Sequence, residues 1–169
     1  MKLIREKMKD LRALYTNQAR LMLSAEQQIV RALPRTIEKA NDEELREAFR
    51  THLRETEGHV ARIQGIVNHL TAETAEEKCG VVAALITEAE EMIEDSADIT
   101  VRDAALIAAA QRVEHYEIAS YGALRHFAQV MGLDGDAEIL NQTIHEEGHA
   151  DHLLSEIAER INPGAQKAA

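Results

Sequence analysis

Gln111-Arg112-Val113-Glu114-His115-Tyr116-Glu117-Ile118-Ala119-Ser120-Tyr121 sets two glutamates three residues apart in a run that is otherwise apolar at helical spacing. With Glu117 at zero and about 100° per residue, Leu106, Ala110, Val113, Leu124, Ala128 and Met131 fall within about 40° of it, and Glu114 within about 60°. A helix that turns this stripe to a core buries two carboxylates. An unpaired buried charge costs several kcal/mol, so something positive must meet them.

Around this stretch the chain reads as packed helices. Its 169 residues suffice for one domain with a proper core. Hydrophobic residues make up 45%, yet aromatics only 3%, and there is no Trp. That profile, rich in Ala, Leu, Ile, Glu and Arg, suits helices rather than sheets. A net charge of -11 argues against nucleic acid as a partner and is consistent with bound cations. Cys79 is the single cysteine, which excludes an internal disulfide and fits a reducing cytoplasm. No apolar run approaches a membrane span, and Met1-Lys-Leu-Ile-Arg-Glu6 lacks the apolar stretch of a signal peptide. The expectation is a cytoplasmic protein with no membrane partner.

The helical period starts early. Met8, Leu11, Tyr15, Ala19, Met22, Ile29, Leu33 and Ile37 predict a first helix over residues 3–40, kinked or broken near its end by Pro34, with Glu26 inside the apolar stripe. Asn41-Asp42 supplies a capped turn, and a second helix runs to about Leu70. Its stripe turns polar at mid-length, at His52, Glu55, Thr56 and His59. Residues 71–100 read as a crossover holding one short helix, Val81 to Ile93, whose acidic patch is a solvated face. A third long helix is expected over 101–131 and a fourth after Gly132-Leu-Asp-Gly135, through Glu147 and Asp151 to Ile161. Asn162-Pro163-Gly164 is expected to end it, leaving 162–169 as a disordered tail. Short turns make antiparallel neighbours and the long link crosses the bundle, so residues 1–161 predict a single all-α domain, a ferritin-like four-helix bundle of two antiparallel hairpins. The halves echo one another: Glu57-Gly-His59 parallels Glu147-Gly-His149.

Every long helix thus offers carboxylate to the interior: Glu26, Glu55, the pair Glu114 and Glu117, and Glu147. Such a cluster cannot stay ionised without cations between its members. Oxygen-rich ligation with an imidazole suits two iron or manganese ions sharing carboxylates. His59, four residues after Glu55 on the same face, is the leading imidazole candidate. His52 reads as a core histidine or one that bonds to a ligand. The fourth helix holds a literal Glu-x-x-His, Glu146 to His149, but His149 lies about 160° from Glu147. Asp151, about 40° from Glu147, is better aimed. A one-residue slip in register would exchange Glu146 and His149 for Glu147 and Asp151. Tyr121 shares the face of Glu117 and either packs in the core or donates to a ligand carboxylate.

Glu114-His-Tyr-Glu117-Ile-Ala-Ser-Tyr121, together with Arg102-Asp-Ala-Ala-Leu-Ile-Ala-Ala-Ala-Gln111 and His52-Leu-Arg-Glu-Thr56, resembles the YciF/YciE stress-protein family. The resemblance covers nearly the whole chain. It implies a bacterial, cytoplasmic, dimeric, ferritin-like protein whose metal-site layout is related to that of rubrerythrin. It also implies Glu26, Glu55, Glu114, Glu117 and Glu147 as ligands. His145-Glu-Glu-Gly-His149 departs from the family's consecutive glutamates, which leaves room for an altered site.

Three functions compete. A redox enzyme would act on peroxide or oxygen in a ferroxidase, peroxidase or catalase-like cycle. A stress protein would sequester metal without turnover. A structural dimer would use its metals only to staple the helices. No Cys-x-x-Cys is present to deliver electrons from the same chain, so the electron donor is left unknown.

Overall fold

A computed structural model describes residues 8–71 and 78–166, and among them every regular element is helical. The elements are α1 (Leu11–Lys39), α2 (Glu43–Leu70), α3 (Gly80–Asp95), α4 (Ile99–Val130) and α5 (Asp134–Ala165).

Short acidic side chains set the starts of α1, α2 and α4. Asp10 accepts from Ala13 N at 2.8 Å, Asp42 from Leu45 N at 3.1 Å, and Asp98 from Thr100 N at 2.7 Å, each meeting an amide that the first helical turn leaves free. The first helix therefore starts at Leu11. The expected continuation back through residues 8–10 is absent, and Met8 is exposed because Asp10 caps the chain after it; residues 1–7 lie outside those described. Pro34 is carried inside α1. Gly132, at φ +70°, provides the left-handed residue after α4, and Leu133 N closes the turn onto Ala128 O at 2.9 Å.

The α5 end differs from expectation. The helix runs through Pro163 to Ala165 instead of stopping at Ile161. A proline removes one backbone bond, but Gly164 lies so close to α4 that an added Cβ would meet Thr100 Cγ2 at 3.2 Å. Packing on the start of α4 accompanies the extra turn. The rest of the expected tail, residues 167–169, lies outside the described residues.

Hydrogen bonds between the helix ends show how the long helices run. Asp136, at the start of α5, accepts from Tyr15 Oη near the start of α1 at 2.9 Å and lies 3.1 Å from His69 Nε2 at the end of α2. At the other end Asp103, near the start of α4, accepts from Asn41 N and Asp42 N at 2.8 and 2.9 Å. Arg160 of α5 donates to Asp42 at 2.6 and 2.8 Å. α1 and α2 are thus antiparallel, as are α4 and α5, and α2 runs antiparallel to α5. Helix α3 packs on α4 and α1. Tyr15, Met22, Leu45, Ile63, Leu124 and Leu140 are among the apolar side chains buried between the long helices.

Candidate metal centre

Halfway along the long helices the core turns polar. Glu26, His59, Glu117 and Glu147 are fully buried, and His52 and Glu114 nearly so. They come from α1, α2, α4 and α5, on the same stripes that bury Met22, Ile63, Leu124 and Leu154. Two groups of potential ligand atoms form, each within 4.8 Å of one another: His52, Glu114, Glu117 and Glu147, and Glu26, His59 and Glu147. Glu147 belongs to both.

The contacts are close but incomplete. His59 Nδ1 lies 2.9 Å from Glu147 Oε1 and 3.8 Å from Glu26 Oε1. His52 Nε2 lies 3.3 Å from Glu114 Oε1, and its Nδ1 lies 4.0 Å from Glu147 Oε2. These approaches are short in distance yet not aligned as hydrogen bonds. Both nitrogens of His52, His59 Nδ1, one oxygen each of Glu26 and Glu114, and both oxygens each of Glu117 and Glu147 are buried without a hydrogen-bond partner. Of eleven such side-chain atoms among the described residues, nine are here. Native interiors rarely leave buried polar atoms unmet, and each one asks for a partner.

The surrounding groups hold the outward sides of these ligands. Tyr121 Oη donates to Glu26 Oε1, leaving Oε2 free. His59 Nε2 bonds Glu146 Oε2 at 2.8 Å, which directs Nδ1 inward. Glu146 is in turn clamped by Arg62, at 2.6 and 3.0 Å, and by Gln142 at 3.0 Å. Thr56 Oγ1 donates to His52 O at 2.7 Å within α2.

Electrostatics follows from burial and crowding. Burial, then the charge of Glu147, pushes the Glu26 carboxyl up to about 8. Burial and the neighbouring carboxylates raise Glu114 and Glu117 well above the usual carboxylate range. Burial opposes charge on His59, but Glu147, Glu26 and Glu146 outweigh it and push the imidazole up to about 9. Burial lowers His52. Glu147 resists burial because His59 and His52 face it, and is held below the usual range. Glu146, also opposed by burial, drops to about 2 under Arg62 and His59. Burial and crowding thus favour the protonated forms of Glu26, Glu114 and Glu117, and bound cations would displace those protons.

Two expected residues stand apart. Glu55 is half-buried and in neither group; His52, Thr56 and His59 define the buried stripe of α2, and Glu55 lies about 70° off its middle. Asp151 is also in neither group. Its carboxylate turns to α4, where Gln111 Nε2 donates to it at 3.1 Å and His115 lies 3.4 Å away. Glu147 faces the interior, while Glu146 is bound to Arg62 and His149 is exposed, so the one-residue slip does not occur. His52 is the residue that sequence reasoning placed outside the ligands. Its signal was the seven-residue spacing to His59, two helical turns on one face.

Residues 10–167 match a family described as a domain of unknown function, DUF892. The chain belongs to this family. The DUF892 chain is 43% identical over 148 residues to protein YciF of Escherichia coli strain K12, covering 86% of this chain and 89% of that protein. The crystal structure of the E. coli stress protein YciF superposes with a TM-score of 0.86 at 39% identity, covering 92% of this chain and 99% of that one. YcfI from Rhodopseudomonas palustris superposes with a TM-score of 0.85 at 35% identity, over 90% and 98% of the two chains. The resemblance in the motifs around Glu117 and His52 is therefore a family relationship along nearly the full length. Among the described residues no helix is long and apolar enough to cross a membrane.

Proposed function

We propose that this DUF892 protein is a ferritin-like four-helix bundle that holds two iron or manganese ions, with Glu147 shared between them. What carries the reading is the concentration of unbonded, buried ligand atoms where the two groups meet. Four carboxylates and two imidazoles form a mixed oxygen and nitrogen donor set suited to iron or manganese. One site would use Glu26, His59 and Glu147; the other would use His52, Glu114, Glu117 and Glu147. Glu55 and Asp151 stay outside this proposed set. Bound metal of this kind supplies Lewis acidity and one-electron redox chemistry for a ferroxidase, peroxidase or catalase-like reaction.

The chain's own residues would prepare that chemistry. Tyr121 holds one Glu26 oxygen and thereby aims the other. Glu146, fixed by Arg62, holds His59 Nε2 and so would favour the tautomer whose Nδ1 is free to serve as a ligand. The apolar neighbours keep bulk water out. The reading includes a role in the stress response, supported by the likeness to the E. coli stress protein YciF, and it takes the protein to be a cytoplasmic dimer.

Metal sequestration without turnover is the second reading, favoured by the complete burial of Glu26, His59, Glu117 and Glu147. Elemental analysis of protein from its native host tests both, and about two transition-metal ions per chain are expected. A ratio near zero removes the centre. Repeated turnover of peroxide or oxygen separates the enzyme from the sequestering protein, which oxidises its metal once.

A further inference from the structure

Beneath α3 lies a cavity of about 70 Å³, bounded by α1, α2, α3 and α4. Ile29, Leu33, Phe49, Ile86, Leu106 and Val113 make most of its wall. Its ionisable residues sit at two ends, and Thr36 is the one other polar side chain of the lining. Arg35 and Glu90, each 46% exposed and 3.6 Å apart, stand at the solvent end. His52 and Glu114, 7% and 2% exposed, stand at the inner end. These inner residues belong to the candidate metal centre, so the cavity borders that centre at one end and the exposed Arg35 and Glu90 at the other.

The lining sets what can occupy it. Water needs two to four polar partners to stay in a buried space, and besides the residues at the two ends the wall offers only the Thr36 hydroxyl, which already donates to Ala32 O at 3.5 Å. Hydrogen peroxide would leave its hydrogen bonds unmade there for the same reason. The volume is roughly half the ~150 Å³ of an apolar cavity that takes benzene, so larger organic molecules are disfavoured.

We propose that this cavity binds a small uncharged apolar molecule of the size of dioxygen and delivers it to His52 and Glu114. The proposal rests on the metal-centre reading and narrows its substrate class to dioxygen over peroxide by this route. Ala110 and Ala89 face the cavity from α4 and α3, where a longer side chain would fill it.

Xenon is the probe, observed by NMR on the full chain, first without metal and then loaded with Mn(II) or Zn(II). Saturable xenon binding is expected in the metal-free protein and is lost in Ala110→Leu. Ala89→Leu, on the α3 wall, makes the same test if Ala110→Leu does not fold. Paramagnetic Mn(II) is expected to broaden the bound-xenon signal, whereas Zn(II) leaves it sharp. Absence of saturable binding, or retention of it in a folded filled variant, overturns the cavity. An unbroadened signal in protein shown to hold Mn(II) overturns its connection to the centre. Failure of the chain to bind Mn(II) or Zn(II) at all refutes the metal reading, and delivery with it, while the metal-free xenon result still reads the cavity by itself.

Discussion

Replacing Glu117 by leucine separates the structural from the metal-binding role of the centre. Glu117 is fully buried and neither carboxyl oxygen has a hydrogen-bond partner. Burial and the charges of Glu26, Glu147 and Glu114 drive it towards its neutral form. A buried polar group left unmet costs about 1–3 kcal/mol, and a leucine of similar length costs less than about 1.5 kcal/mol in shape mismatch. The metal-free variant should therefore gain roughly 1–2 kcal/mol. For a chain of this size that raises the melting temperature by about 2–8 °C. Thermal unfolding by circular dichroism, in chelator and in excess Mn(II), reads both sides. At metal about a hundredfold above its dissociation constant, binding stabilises the wild type by about 2.7 kcal/mol, a gain the variant should lose. The order thus reverses, with the variant higher in chelator and the wild type higher in metal. A metal-free Glu117→Leu that melts below the wild type would refute the reasoning, because Glu117 would then already have a good partner.

Three further outcomes are expected. Tyr121→Phe removes the donor to Glu26 and should cost the metal-free protein about 1–3 kcal/mol in urea unfolding, with weaker metal binding by calorimetry. Asp103→Ala leaves the part-buried turn amides of Asn41 and Asp42 without their acceptor and should cost roughly 1–3 kcal/mol, read as a lower urea midpoint at unchanged slope. Asp42, held down to about 2 chiefly by its hydrogen bond to Arg160, has a folded value below its unfolded one; its contribution is present above about pH 4 and lost as pH falls towards 2. Arg160→Ala should flatten that part of the acid limb of stability, measured by melts across pH.

Much of the helical architecture was legible because apolar stripes persist over many turns. The stripe through Leu106, Val113 and Leu124 fixed α4, and its interruption by Glu114 and Glu117 pointed to the centre. The ends were harder. A single Asp10 hydrogen bond decided where α1 begins, and periodicity carries no trace of it. Pro163 read as a stop because the close approach of the next residue, Gly164, to Thr100 is a contact distant in sequence. In the site, face angle placed Glu26, His59, Glu114, Glu117 and Glu147 inside. The same criterion was too coarse for Glu55 and Asp151, which lie at stripe edges where local partners such as Gln111 decide direction. His52 was undervalued because a lone histidine on an apolar stripe is ordinarily a core residue. Only the opposing helices reveal that Glu114 and Glu147 face it.

Anomalous scattering from crystals grown with Mn(II) tests the centre most directly. About two manganese peaks per chain are expected, one among Glu26, His59 and Glu147 and one among His52, Glu114, Glu117 and Glu147. Crystals that show no peak between these side chains, with their carboxyl groups hydrogen-bonded to one another or to water, would contradict it.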